Sequence, residues 1–88
     1  MDNIQFSEKA WEDIQYWLAK DKKNLAKIFK LIENIKRSPY DGLGKPEPLK
    51  GYLSGFWSRR IDDVNRIVYS IENNAIAIVQ CRSHYGDK

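Results

Sequence analysis

The hydrophobic pattern of this chain changes period once, and the change falls at a proline-rich loop. Residues 38–48, SPYDGLGKPEP, hold all three prolines and two of the five glycines. Before them the apolar residues recur at helical spacing. After them apolar and polar residues alternate, the period of a strand. A chain built this way folds as helices first and strands second, which is the α+β class.

The helical half divides in two. Asn3 to Phe6 reads as a short opening strand, after which Ser7 sits where an N-cap belongs and Glu8 falls in the first turn. Ala10, Trp11, Ile14, Trp17 and Leu18 follow on one face, giving a helix to about Lys20 with Trp11 and Trp17 as core residues. Asp21 is suited to cap a second helix whose Leu25, Ile28, Phe29, Ile32 and Ile35 share a face and which Ser38-Pro39 ends. So short a connection predicts an antiparallel helical hairpin.

Beyond the loop, FWSRRI and RIVYSI flank a polar turn, and AIAIVQCR follows the turn ENN. Ile67, Tyr69 and Ile71 form the face expected against the helices, with Arg66, Val68 and Ser70 on the other. An odd-numbered turn places Arg60 opposite Arg66. Like charges directly opposed repel, so that pairing makes sense where an anion comes between them. The expectation is a short N-terminal strand and a two-helix hairpin on a twisted antiparallel sheet. Its second face should be polar, basic and open.

Eighty-eight residues allow one domain, spanning 1–88. With 42% hydrophobic and 31% charged residues, the composition is that of a soluble globular protein. One cysteine, Cys81, rules out an internal disulfide and fits a reducing compartment. Neither a signal peptide nor a membrane span is legible, so a cytoplasmic location is expected. The net charge of +3 is unevenly placed. Lys20, Lys22, Lys23, Lys27, Lys30, Lys36 and Arg37 face only Asp21 and Glu33 in the second helix region. That run reads either as a solvated face or as a phosphate-binding surface.

One histidine and one cysteine supply no metal-ligand spacing, and GLGKPEP lacks the ending of a phosphate loop. What remains is a carboxylate, Glu47, held between two prolines; a histidine, His84; and several fixed cations. This set suits transesterification of RNA. A base takes the proton of a 2′-hydroxyl, the oxygen attacks phosphorus, cations stabilise the charge, and an acid protonates the leaving 5′-oxygen. The substrate supplies its own nucleophile, so no cofactor is required. Each piece also has a plainer reading. A lone terminal histidine is often surface decoration, an Arg-Arg pair is often salt-bridged to neighbours such as Asp62 and Asp63, and Glu47 reads equally as a loop residue. Trp57 reads as core or as a stacking platform for a base.

The blocks GKPEPLK, LSGFWSRRI, RIVYSI and CRSHY, with SEKAWEDIQYW and LIENIKRSPYDG before them, closely resemble the YoeB/Txe family of bacterial toxins. These are ribosome-dependent messenger-RNA endonucleases of the RelE/ParE superfamily, and the resemblance covers essentially the whole chain. It implies a RelE-like fold, Glu47 as general base and His84 as general acid, with Tyr85 beside it. It implies that Lys50, Arg60 and Arg66 bind and stabilise the scissile phosphate, and Arg59 is placed with that set. Some members carry an acid two positions before the hairpin arginine. Here that position is Val64, and Asp63 is the nearest substitute.

The implied partners are the ribosome and its message, a second copy of the chain, and a YefM/Axe-type antitoxin through which alone operator DNA is reached. On this basis the basic second helix reads as an anchor on ribosomal RNA. The alternative within the superfamily is a ParE-like gyrase inhibitor without nuclease activity, against which Glu47, Arg66 and His84 together argue.

Overall fold

The computed structural model describes residues 3–83. In chain order these form β1 (Asn3–Phe6), α1 (Glu8–Lys20), α2 (Lys22–Arg37), β2 (Glu47–Pro48), a 3₁₀ turn (Gly51–Leu53), β3 (Trp57–Arg60), β4 (Arg66–Glu72) and β5 (Ala75–Gln80). The strands make one sheet in the order β1-β5-β4-β3-β2. Three pairings are antiparallel, but β1 runs parallel to β5. The sheet is therefore mixed, where an antiparallel one was expected. The reason is that α1 and α2 intervene as a crossover and return the chain to the far side of the sheet.

Local signals govern the helix ends. The Ser7 hydroxyl accepts from Ala10 N at 3.0 Å and donates to Val79 O at 2.7 Å, so the cap also ties α1 to β5. Asp21 is the whole connection between the helices: its amide reaches Trp17 O at 2.8 Å and its carboxylate accepts from Asn24 N at 3.2 Å. Asn73 and Asn74 both have positive φ, as a two-residue β-hairpin turn requires.

The core joins Ala10, Ile14 and Trp17 of α1 and Leu25, Ile28, Leu31, Ile32 and Ile35 of α2 to Ile67, Tyr69, Ile76 and Ile78 of the sheet. Three helical expectations are corrected. Trp11 and Leu18 are each 54% exposed and Phe29 is 48% exposed. Trp11 lies one residue, a hundred degrees of helix, from Ala10 and meets Phe6 edge-on at the border of β1. Leu31 takes the core place expected of Phe29.

A polar residue, Asp13, occupies the buried face of α1. Its carboxylate accepts from Cys81 N at 3.0 Å and pairs with Lys9, so the acid holds the end of β5 against the helix. Trp17 adds a bond from its indole to Cys81 O at 2.8 Å. Burial, with the negative charge of Asp13 nearby, pushes the Cys81 thiol up to about 12. That removes it as a nucleophile at neutral pH.

Candidate active site

Glu47 was expected in a loop, yet it opens β2 and pairs with Ser58 of β3, while Pro48 pairs with Trp57. A proline survives there because β2 is the sheet's edge. Across the next ladder Ser58 pairs with Val68, and Arg60 pairs with Arg66, as the odd-numbered turn predicts. Opposed residues share a face and residues two apart return to it. Glu47, Ser58, Arg60, Arg66 and Val68 therefore stand on the side away from the helices. There Arg66 Nη1 lies 4.0 Å from Glu47 Oε1. The glutamate side chain is half exposed and the arginine largely buried.

That face is not open throughout: Ser58, Val68 and Ser70 are buried. The Nε of Arg60 is buried without a hydrogen-bond partner among the described residues. Lys50 closes the same block: Glu47, Pro48, Leu49 and Lys50 together line an open cavity of about 300 Å³. Leu49 is buried and its amide bonds Phe56 O at 2.9 Å, which fixes the block against β3.

Arg59 is a correction. Register sets it opposite Ile67, on the helix side, and it is fully buried. Its Nε donates to Tyr69 Oη at 3.0 Å. One Nη donates to Asn34 Oδ1 at 2.7 Å and Leu43 O at 2.8 Å, and the other to Ser38 O at 2.6 Å and Asp41 O at 3.1 Å. A guanidinium has five donors, and all are used inside the protein. Arg59 has nothing left for a phosphate. It gathers the loop between α2 and β2 and thereby delivers Glu47.

Asn34 and Tyr69 complete that internal brace. The Asn34 oxygen also accepts from Leu43 N at 3.0 Å. A Cβ on Gly42, whose φ is +116, would fall 2.3 Å from that oxygen, so only glycine passes there. The Tyr69 hydroxyl donates to Pro39 O at 2.6 Å, and burial raises its pKa against the opposing influence of Arg59. No short motif announces these residues. Their only sequence signal is a polar side chain on an otherwise apolar face.

The basic second helix also contributes. Lys27, Lys30 and Leu31 line an open cavity of about 340 Å³ with Leu43, Gly44, Lys45 and Arg60. The lining holds four cations and no carboxylate. Trp57 packs partly against the core, with the half-exposed Tyr40 ring 4.9 Å away. His84 and Tyr85 lie outside the described residues.

In the turn between β3 and β4, Asp62, rather than Asp63, is the working carboxylate. Burial tends to raise its pKa, but the amides of Asn65 and Val64 and the side chains of Asn24 and Asn65 donate to it and hold it at about 2. No ion pair joins Asp62 to Arg60 or Arg66 among the described residues, and Asp63 and Val64 are exposed.

The two-helix hairpin on a mixed sheet, with a carboxylate and two arginines on its far side, is a RelE-like fold. Residues 6–85 match the family model described as "YoeB-like toxin of bacterial type II toxin-antitoxin system". The chain belongs to that family. It is 48% identical over 85 residues to Toxin YoeB of Mycobacterium bovis, covering 97% of this chain and 100% of the relative. Among solved structures it resembles the YoeB/ParE toxin from Agrobacterium tumefaciens with a TM-score of 0.92 and 42% identity, covering 94% and 99% of the two chains. Staphylococcus aureus YoeB, solved in a heterotetrameric complex with YefM, superposes with a TM-score of 0.87 and 45% identity, covering 94% and 97%.

Proposed function

We propose that this toxin is a ribosome-dependent endoribonuclease that cuts translated messenger RNA in the ribosomal A site and so stops translation. The observation that carries the reading is the Glu47 carboxylate 4.0 Å from the Arg66 guanidinium, with Arg60 directly across the ladder. A phosphodiester bridging the two arginines sets its neighbouring 2′-hydroxyl toward Glu47, which removes the proton. Arg60, Arg66 and Lys50 neutralise the charge that builds on the phosphoryl oxygens. His84 is assigned the proton delivered to the leaving 5′-oxygen, with Tyr85 beside it. The RNA brings its own nucleophile, so the reaction asks for no cofactor.

The remaining partners follow from relatives. S. aureus YoeB forms a heterotetramer with YefM and has been solved as a dimer, so we assign this chain a YefM/Axe-type antitoxin and a homodimer. Operator DNA is reached only through the antitoxin complex, and action on translating ribosomes places the toxin in the cytoplasm. The four cations around the second cavity are read as part of the ribosomal-RNA contact.

The test is cleavage in a translating extract, mapped by primer extension, with the product ends determined chemically. Discrete cuts within translated codons are expected, leaving a 2′,3′-cyclic phosphate or 3′-phosphate and a 5′-hydroxyl. A 5′-phosphate product excludes the transesterification. Absence of cuts, with inhibited gyrase, establishes the protein-binding alternative.

A further inference from the structure

The turn that reverses β3 into β4 also holds the end of the described chain. Asp62 Oδ1 accepts from Val64 N at 2.8 Å and Asn65 N at 2.7 Å. Its Oδ2 accepts from Asn24 Nδ2 at 2.9 Å, and Asn65 Nδ2 lies 3.1 Å from both oxygens. With its amino group committed to the carboxylate, Asn65 presents its carbonyl oxygen to Ser83 N at 2.6 Å. Both contacts demand the same orientation of the amide, which settles its assignment. The next residue along, Arg66, donates its backbone N–H to Ser83 O at 3.2 Å. Consecutive residues, Asn65 at the end of the turn and Arg66 at the start of β4, thus grip both backbone groups of Ser83.

Ser83 needs that grip. Its φ is +71, a left-handed conformation that residues other than glycine adopt only when their surroundings impose it. The residue that follows is His84. A backbone held in a disfavoured region immediately before the assigned acid, and tied to the backbone of the phosphate-binding Arg66, is a device for alignment.

We propose that Asn65 is a positioning residue for cleavage: it fixes the backbone of Ser83, the residue that precedes His84 in the chain. It touches neither substrate nor reacting atoms. The inference rests on His84 being the acid. Asp62 has a supporting part, since its carboxylate holds the Asn65 amide in the one orientation that leaves the oxygen free for Ser83.

The experiment uses the full-length toxin and translating ribosomes. Single-turnover cleavage is followed across pH for the wild type, Asn65→Ala, Asn65→Asp, Asp62→Asn, and the combination of the last two. Amide exchange is read at Ser83 and at Ile67 and Ile78. Asn65→Ala should slow cleavage by about 10²-fold, the scale of a small misplacement of a reacting group, and weaken the limb of the pH profile that reports the acid. Ser83 exchange should accelerate while the two core amides stay protected. Asn65→Asp sets carboxylate against carboxylate and Asp62→Asn sets amide against amide, so each alone should lose rate. The combination restores one donor facing one acceptor and should recover most of it. Asn65→Ala cutting at full rate, a slow variant with unchanged Ser83 exchange, or loss of protection throughout the core would each overturn the proposal. If the wild type itself cuts no RNA, the endonuclease reading fails first and takes the inference with it.

Discussion

Arg59 and Arg60 are adjacent and chemically identical, and the sheet sends them to opposite sides. Arg59 spends all five donors on Tyr69, Asn34 and three loop carbonyls in the interior. Arg60 stands across from Arg66 with its Nε unpartnered among the described residues. The helix-side face of the sheet therefore carries stability and shapes the loop, and the far face carries the charges that the proposed function assigns to a substrate. The lesson is that alternation, more than residue type, assigns an arginine its task. A charge becomes structural when carbonyl dipoles surround it and functional when they do not.

Substitutions on the two faces should separate rate from stability. The largest effect is expected from Glu47→Gln, which removes the assigned base while keeping its shape. Single-turnover cleavage should fall ~10²–10⁴-fold with an unchanged denaturation midpoint. Arg59→Met is the opposite case, taking the guanidinium donors away from three carbonyls, from Tyr69 Oη and from Asn34 Oδ1, which keeps only Leu43 N. Unfolding free energy should drop by roughly 3 kcal/mol or more, measured by urea denaturation. If this variant proves stable but inactive, the division between the faces collapses.

Arg60→Ala should cost less. It withdraws the phosphate contact assigned to Arg60, so ribosome affinity should weaken and its salt dependence should lose about one unit of slope, with stability nearly unchanged. Acid should act through the turn. Asp62 has its folded pKa depressed from 3.8 to about 2, so its contribution is complete above the ordinary value and is lost as pH falls from 3.8 toward 2. Asp62→Asn should flatten that part of the stability profile. The smallest effect is expected from Val64→Glu. Val64 is 65% exposed and the turn is already organised by Asp62, so cleavage should change far less than in Glu47→Gln.

Much of this was legible. Ser7 and Asp21 announce the helix ends because a cap is a short-range bond between neighbours in sequence. The pairing of Arg60 with Arg66 follows from an odd-numbered turn. The same register puts Arg59 opposite the core residue Ile67, so its inward direction was implicit too. The five acceptors that make burial tolerable were not, because three are backbone carbonyls from residues sixteen to twenty-one positions away. Glu47 as a strand residue was equally hidden: a strand of two residues, the second a proline, shows no period. Trp11 misled for another reason, since a large apolar side chain one residue off the buried stripe satisfies a loose helical pattern as well as one within it.

The sequence by itself determined where the helices start and stop, where the period changes, and which residues oppose each other in the hairpin between β3 and β4. These are decided by contacts between residues close along the chain, where spacing alone fixes geometry. Only the tertiary structure decided that β1 joins β5 in parallel, that Asp13 is buried to hold Cys81, that Arg59 braces the loop, and that Glu47 meets Arg66. Those outcomes depend on segments brought together from distant parts of the chain. There a buried polar group survives only if the assembled fold supplies its partner, and no local pattern records where that partner comes from.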